Sequence, residues 1–135
     1  MANASNYLEL KVLDHVLGEG ARDFTSPTTL FLGLFTAVSD PDAGSVTEVP
    51  SLYGYVRKDL SFSQASAGAA LNSADITFPT ASGGAWGTIT HVGVYDSQVG
   101  GTDNLLVWAA LAASKVVSDG DTFVIQASNL TVNMA

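Results

Sequence analysis

The stretch Trp86-Gly87-Thr88-Ile89-Thr90-His91-Val92-Gly93-Val94-Tyr95-Asp96 decides the fold. It alternates Ile89, His91, Gly93 and Tyr95 against Thr88, Thr90, Val92 and Val94, the period of two that sends successive side chains to opposite faces of a strand. Upstream, Thr28 to Thr36 (TTLFLGLFT) repeats the period, with Leu30, Leu32 and Leu34 on one face and Phe31 and Phe35 on the other. A strand apolar on both faces is covered on both sides, and a sheet and a helix are the expected covers.

Working outward, Gly100-Gly101 turns the chain as a hairpin into a strand over Leu105 to Ala112. Tyr53 to Phe62 reads as a strand with Val56, Leu60 and Phe62 inward and its charges outward. Further strands fall at Leu71 to Phe78, at Thr122 to Ala127, and in the alternation Leu130, Val132, Met134. Pro79 and Ser82-Gly83-Gly84 break the ladder between them. Ala37 to Leu52 carries the turn chemistry Ser39-Asp40-Pro41-Asp42-Ala43-Gly44 and reads as a long exposed loop. Six or seven short strands with turns between them predict an all-β chain: one antiparallel, jelly-roll-like β-sandwich over residues 1–135.

One segment departs from period two. From Ser5 to Leu17, Leu10, Leu13 and Leu17 recur at helical spacing, flanked by Tyr7 and Val16. Ser5 is placed to cap this helix, and Gly18 with Gly20 to stop it. A lone helix of this length is marginal in water, so its stripe is expected to pack on its own sandwich or on a neighbouring subunit.

Composition narrows the function. The chain has 135 residues, 47% of them hydrophobic and only 13% charged, which excludes a disordered chain. Its 13 acids against 5 bases leave a net charge of −8. The bases Lys11, Arg22, Arg57, Lys58 and Lys115 are scattered, whereas a phosphate backbone is gripped by clustered cations, so no nucleic-acid partner is expected. There is no cysteine, hence no disulfide framework and no thiolate metal site. No apolar run is long enough to span a bilayer, and the N-terminus lacks a basic secretion signal. Synthesis in a cytoplasm, a soluble product and no membrane partner are the expectations.

Catalytic arrangements are weak. His15 sits opposite the main helical stripe. His91 and Asp96 are five apart on a strand, an odd spacing that points them to opposite faces and supplies no His–Asp pair for a nucleophilic relay. Asp40 with Asp42, or Asp119 with Asp121, lack the ligand number and spacing of a calcium loop and read as turn formers. No phosphate-loop spacing follows Gly83-Gly84 or Gly100-Gly101. No catalytic residue, cofactor or metal is predicted, and the chain is not expected to be an enzyme.

Several blocks stand in a recognisable order: Tyr7 to His15 (YLELKVLDH), Leu30 to Ala37, Glu48, Gly54-Tyr55 with Arg57, Asn72-Ser73, and Ile76 with Phe78-Pro79 and Ala81. Trp86-Gly87-Thr88-Ile89-Thr90-His91 with Gly93 and Tyr95-Asp96 follows, then Gly101, Asn104-Leu105-Leu106, Ser114-Lys115, Val117 and Gly120-Asp121. This order resembles a family of small tailed-phage virion proteins, commonly labelled phage tail fibre protein or virion structural protein. The resemblance implies a structural subunit located in the virion. Compactness, acidity and the lack of a coiled-coil shaft or repeated β-spiral favour a capsid decoration (cement) protein on the outer head surface, with the major capsid protein as partner and a homotrimer as its state. The alternative is a tail fibre, tail-tip or baseplate module that binds a receptor or carbohydrate; a tail-tube ring is a third reading. Candidate interface residues are Leu10, Leu13 and Leu17 on the helix, Asp40 and Asp42 in the loop, and the aromatic residues Tyr53, Tyr55 and Trp86, exposed in the carbohydrate-binding reading, with Trp86 and Trp108 otherwise core or interface anchors.

Overall fold

The computed structural model describes residues 2–18, 24–101 and 103–133. Its ten strands and one helix follow in the order β1 (Asn3–Ala4), α1 (Asn6–Leu17), β2 (Leu30–Asp40), β3 (Ser45–Glu48), β4 (Lys58–Leu60), β5 (Ala69–Leu71), β6 (Ile76–Thr77), β7 (Gly87–Tyr95), β8 (Leu105–Val117), β9 (Val124–Ile125) and β10 (Thr131–Asn133). Arg22, Gly20 and Met134 lie outside the described residues.

The long period-two segments make the main sheet. Its order is β1-β8-β7-β2-β3, with β4 paired to the remaining length of β2. Every pairing within it is antiparallel. Two short ribbons, β10-β5 and β6-β9, form the opposite layer. The expected all-β antiparallel sandwich with one short helix therefore forms, and its second layer is two ribbons.

Alternation in β2 sorts the core as expected. Leu32 and Leu34 join Val92, Val94, Val107 and Ala109 in the main cluster, together with Trp86 at the entrance to β7 and with Phe78, Phe123 and Leu130 from the other layer. On the far face Phe35 packs with Tyr95 and Leu105 in a second, smaller cluster. Its cover differs from expectation: Val38, Val46 and Trp108 pack there, not the helix. The residues responsible lie in the supposed loop. A register shift between Phe35 and Ala37 brings Val38 to the same face as Phe35, and β2 runs on to Asp40 and returns as β3, with Val46 paired to Val38. The turn between them is closed by Asp40 Oδ1 accepting from the Ala43 N–H at 3.3 Å and by Gly44 at φ 81°. Residues 37–48 are thus a hairpin arm, and Val49 beyond it is buried.

The register of β7 against β8 breaks between Ile89 and His91, where Ile89 faces Lys115 and His91 faces Ala110. One residue of β7, Thr90, stands opposite four of β8, Leu111 to Ser114. This bulge moves Ile89 into the main core beside Val92, although simple alternation puts it with His91 and Tyr95. The segment Tyr53 to Phe62 also differs from expectation. Only Lys58–Leu60 is a strand, Val56 is 48% exposed, and Arg57 is buried instead of facing solvent.

Candidate interaction surfaces

Helix α1 is set by its caps. The Ser5 side chain accepts from the Leu8 N–H at 3.3 Å, and its own hydroxyl donates to the Leu105 carbonyl of β8. At the other end Gly18 takes a left-handed conformation and its N–H returns to the Asp14 carbonyl at 3.0 Å. These bonds seat the helix, but only Leu8 packs against the main core, and none of its residues is buried. The stripe faces outward: Leu10, Leu13, Val16 and Leu17 are all more than half exposed. Of the two covers expected for that stripe, its own sandwich does not supply one. His15 is exposed as well.

Asp40 and Asp42 sit at the tip of the hairpin arm. Asp40 closes the turn, while Asp42 Oδ1 accepts from the Trp108 indole N–H at 2.8 Å and its carbonyl accepts from the Asn6 N–H at 3.0 Å. Asp42 therefore ties the arm to both the sheet and the start of the helix. Asp119 and Asp121 likewise bond loop backbone, Asp119 to the Gly83 N–H and Asp121 to the Ser118 N–H, each at 2.9 Å. Asp96 directs both carboxylate oxygens at Asn104, and His91 Nδ1 lies 2.9 Å from the Thr90 hydroxyl.

The aromatic trio divides. Tyr53 is 46% exposed, but Tyr55 and Trp86 are buried, which removes them as a surface platform. Their rings meet edge to face at 5.3 Å, and Tyr55 stacks on Phe78 at 6.2 Å. Burial is possible because each polar end finds a partner. The Trp86 indole donates to the Tyr53 carbonyl at 3.0 Å. The Tyr55 hydroxyl donates to Glu48 Oε1 at 2.6 Å and accepts from the Leu34 N–H at 3.0 Å.

Tyr55 leads into a polar network for which the sequence offers little signal beyond the presence of Glu48 and Arg57. Arg57, 6% exposed, donates to both oxygens of Glu48 at 2.8 and 2.7 Å. It also pairs with Asp103 at 2.8 Å and donates to the Ser97 carbonyl at 2.9 Å. Its guanidinium lies over the Tyr95 ring, 3.5 Å from the centroid. The space comes from Gly33, where a Cβ would stand 2.9 Å from Glu48 Oε1 and 3.1 Å from the Tyr95 ring. Burial alone pulls the Arg57 guanidinium down, but hydrogen bonds to Glu48 and the Glu48 charge, joined by Asp103, outweigh it and keep the group charged. Burial first, then the Glu48 charge, pushes the hydroxyls of Tyr55 and Tyr95 far above the ordinary tyrosine range. Chemically this is a clamp: it fastens β3, the segment before β4 and the loop before β8 around one cation.

A shallow groove of about 860 Å³ runs beside the second half of β8, lined on its far side by Phe123, Val124 and Ile125. Among the described residues no helix is long and apolar enough to cross a membrane.

The arrangement is thus a rigid sandwich with an uncovered helical stripe at one place and a single exposed tyrosine at another. No curated protein matches the chain. A family does: residues 3–133 match the family described as Podophage GP4 fiber I protein gp80. The match takes in the capped helix, the main sheet and both ribbons, and the chain belongs to that family of phage virion structural proteins.

Proposed function

We propose that this chain is a subunit of a phage tail fibre, assembled as a homotrimer through helix α1. The observation that carries the reading is the family match across residues 3–133, whose description names a fibre and not a head protein. That favours the tail over capsid decoration. The compactness and missing shaft that pointed to the head lose their weight, because a fibre can be built from globular modules. The role is mechanical and not catalytic, with synthesis in the host cytoplasm before assembly.

The helix supports the mode of assembly. Leu10, Leu13 and Leu17 have the three-then-four spacing of a coiled-coil seam and are exposed. Three copies around an axis bring the stripes together and cover them. In that arrangement Glu9 of one helix flanks Asp14 of the next, a like-charge contact. The trimer should therefore tighten as salt is added.

Sedimentation velocity of the isolated chain tests the assembly. The expected result is a concentration-dependent trimer, stronger at higher salt and abolished by Leu13→Asp. A chain that stays monomeric up to ~100 μM at every salt concentration would overturn it. The location is tested separately by copy number in purified virions. A count of a few oligomers per particle supports the fibre, and a count matching the major capsid protein returns the chain to the head.

A further inference from the structure

Tyr53 is held in an unusual way. Tyr53 and Gly54 both adopt left-handed backbone conformations, at φ 54° and 84°. A tyrosine stays in that region only where its surroundings hold it there. The hold comes from beneath, where the Tyr53 carbonyl accepts from the buried Trp86 indole at 3.0 Å and from the Ser82 N–H at 3.1 Å. The ring then rests on a glycine. A Cβ at Gly84 would stand 2.6, 2.7 and 2.8 Å from Cζ, Cε2 and Cε1 of Tyr53. The hydroxyl oxygen is not among those nearest atoms, so Gly84 meets a face of the ring and not its rim.

With that face supported, Tyr53 still exposes 46% of its surface, beside Leu52 and Val56 at 57% and 48%. Hydrogen-bonding groups lie along the segment that supports it. The Gly83 N–H donates to Asp119 Oδ1 at 2.9 Å, which brings an exposed carboxylate next to the glycine pair under the ring. The exposed Ser82 hydroxyl stands in the same segment.

We infer that Tyr53 is the platform of a saccharide-binding site, taking the apolar face of a pyranose ring, with Asp119 and Ser82 receiving its hydroxyls. A pyranose presents C–H groups on its face and hydroxyls around its rim. The face suits the electron-rich face of a tyrosine, and the rim suits a carboxylate acceptor. A ring already fixed by its turn and its glycine loses little freedom when a ligand lands on it. The inference extends the fibre reading without depending on it, since virion copy number and saccharide binding can each fail alone.

The test is two-dimensional NMR of the full chain, titrated separately with glucose, galactose, N-acetylglucosamine and rhamnose. At least one sugar is expected to shift the amide signals of Tyr53, Gly83 and Gly84 saturably, with a millimolar Kd. Tyr53→Asn keeps a residue tolerant of the left-handed turn but removes the ring, and should weaken binding at least about tenfold. Tyr53→Phe should retain it, and Asp119→Asn should weaken it about threefold. Absence of shifts at those residues with all four sugars would overturn the inference, as would undiminished binding by Tyr53→Asn.

Discussion

Arg57 grips Glu48 through two parallel hydrogen bonds, Nε to Oε1 at 2.8 Å and Nη2 to Oε2 at 2.7 Å. In a chain with only five basic residues, one of them is committed to the interior. Truncating it would strand the Glu48 carboxylate and Asp103 together without their cation. Arg57→Ala should cost about 3–5 kcal/mol, read from denaturant unfolding. Arg57→Lys should recover only part of that, because an ammonium cannot reproduce the planar fork. A loss below ~1 kcal/mol for Arg57→Ala would mean the clamp is ornamental.

Gly93 faces Phe35 and Leu105 more tightly than any side chain could allow. A Cβ there would lie 2.5 Å from Phe35 Cζ and 2.6 Å from Leu105 Cδ1. Gly93→Ala should destabilise by about 1–3 kcal/mol through overpacking of the smaller cluster. Adding Phe35→Leu should restore part of the loss, and a double-mutant cycle measures the coupling. Strictly additive effects would show that the two residues do not share the space.

Alkaline unfolding should be driven by Tyr55 and Tyr95. Both hydroxyls are raised above the ordinary value of 10.0, mainly by burial, so the fold favours their neutral form. Stability from this source is complete below about pH 10 and is lost as the pH climbs further, because the unfolded chain then releases protons the folded chain retains. Tyrosinate absorbance and circular dichroism, followed together, should show these two hydroxyls ionising only as structure is lost. Ionisation of all four tyrosines with the fold intact would contradict it.

The contact between Asp42 and Trp108 anchors the hairpin arm. Asp42→Ala should leave global stability within about 1 kcal/mol, since the bond is exposed. Hydrogen exchange over residues 38–46 should nevertheless accelerate as the arm loosens. Unchanged exchange there would mean that Val38 and Val46 hold the arm without help.

Much of this fold is legible because period two is a strong signal where it runs uninterrupted. The Leu32, Leu34 and Phe35 faces follow from it directly, while helical spacing with Ser5 and Gly18 marks the helix and both its caps. The turn chemistry of Asp40-Pro41-Asp42 and Gly44 describes the hairpin tip but reads as a loop across residues 37–52, which hides the strand pairing on either side of it. Local pattern also says nothing of long-range pairing. Tyr55 and Trp86 look like surface aromatics until Glu48, Leu34 and the Tyr53 carbonyl satisfy their polar ends from elsewhere in the chain. Arg57 is misplaced for the same reason: a charge is assigned to solvent unless its counter-ions are known, and Glu48 and Asp103 lie 9 and 46 positions away. Among the candidate interface residues, the helical leucines and Tyr53 are surface groups, and Asp40 and Asp42 are the fastenings of the arm.

The four residues Leu111 to Ser114, set against Thr90 alone, leave both flanking registers intact, with Ala110 on His91 and Lys115 on Ile89. Chain length is thereby decoupled from sheet geometry at this bulge, as it is by one residue at the second register shift, between Val94 and Tyr95. Homologues can gain or lose residues here, and a short peptide can be grafted here, while every core side chain on either side keeps its face. Along the unbroken stretch from Val107 to Ala110 a single insertion would turn the strand inside out.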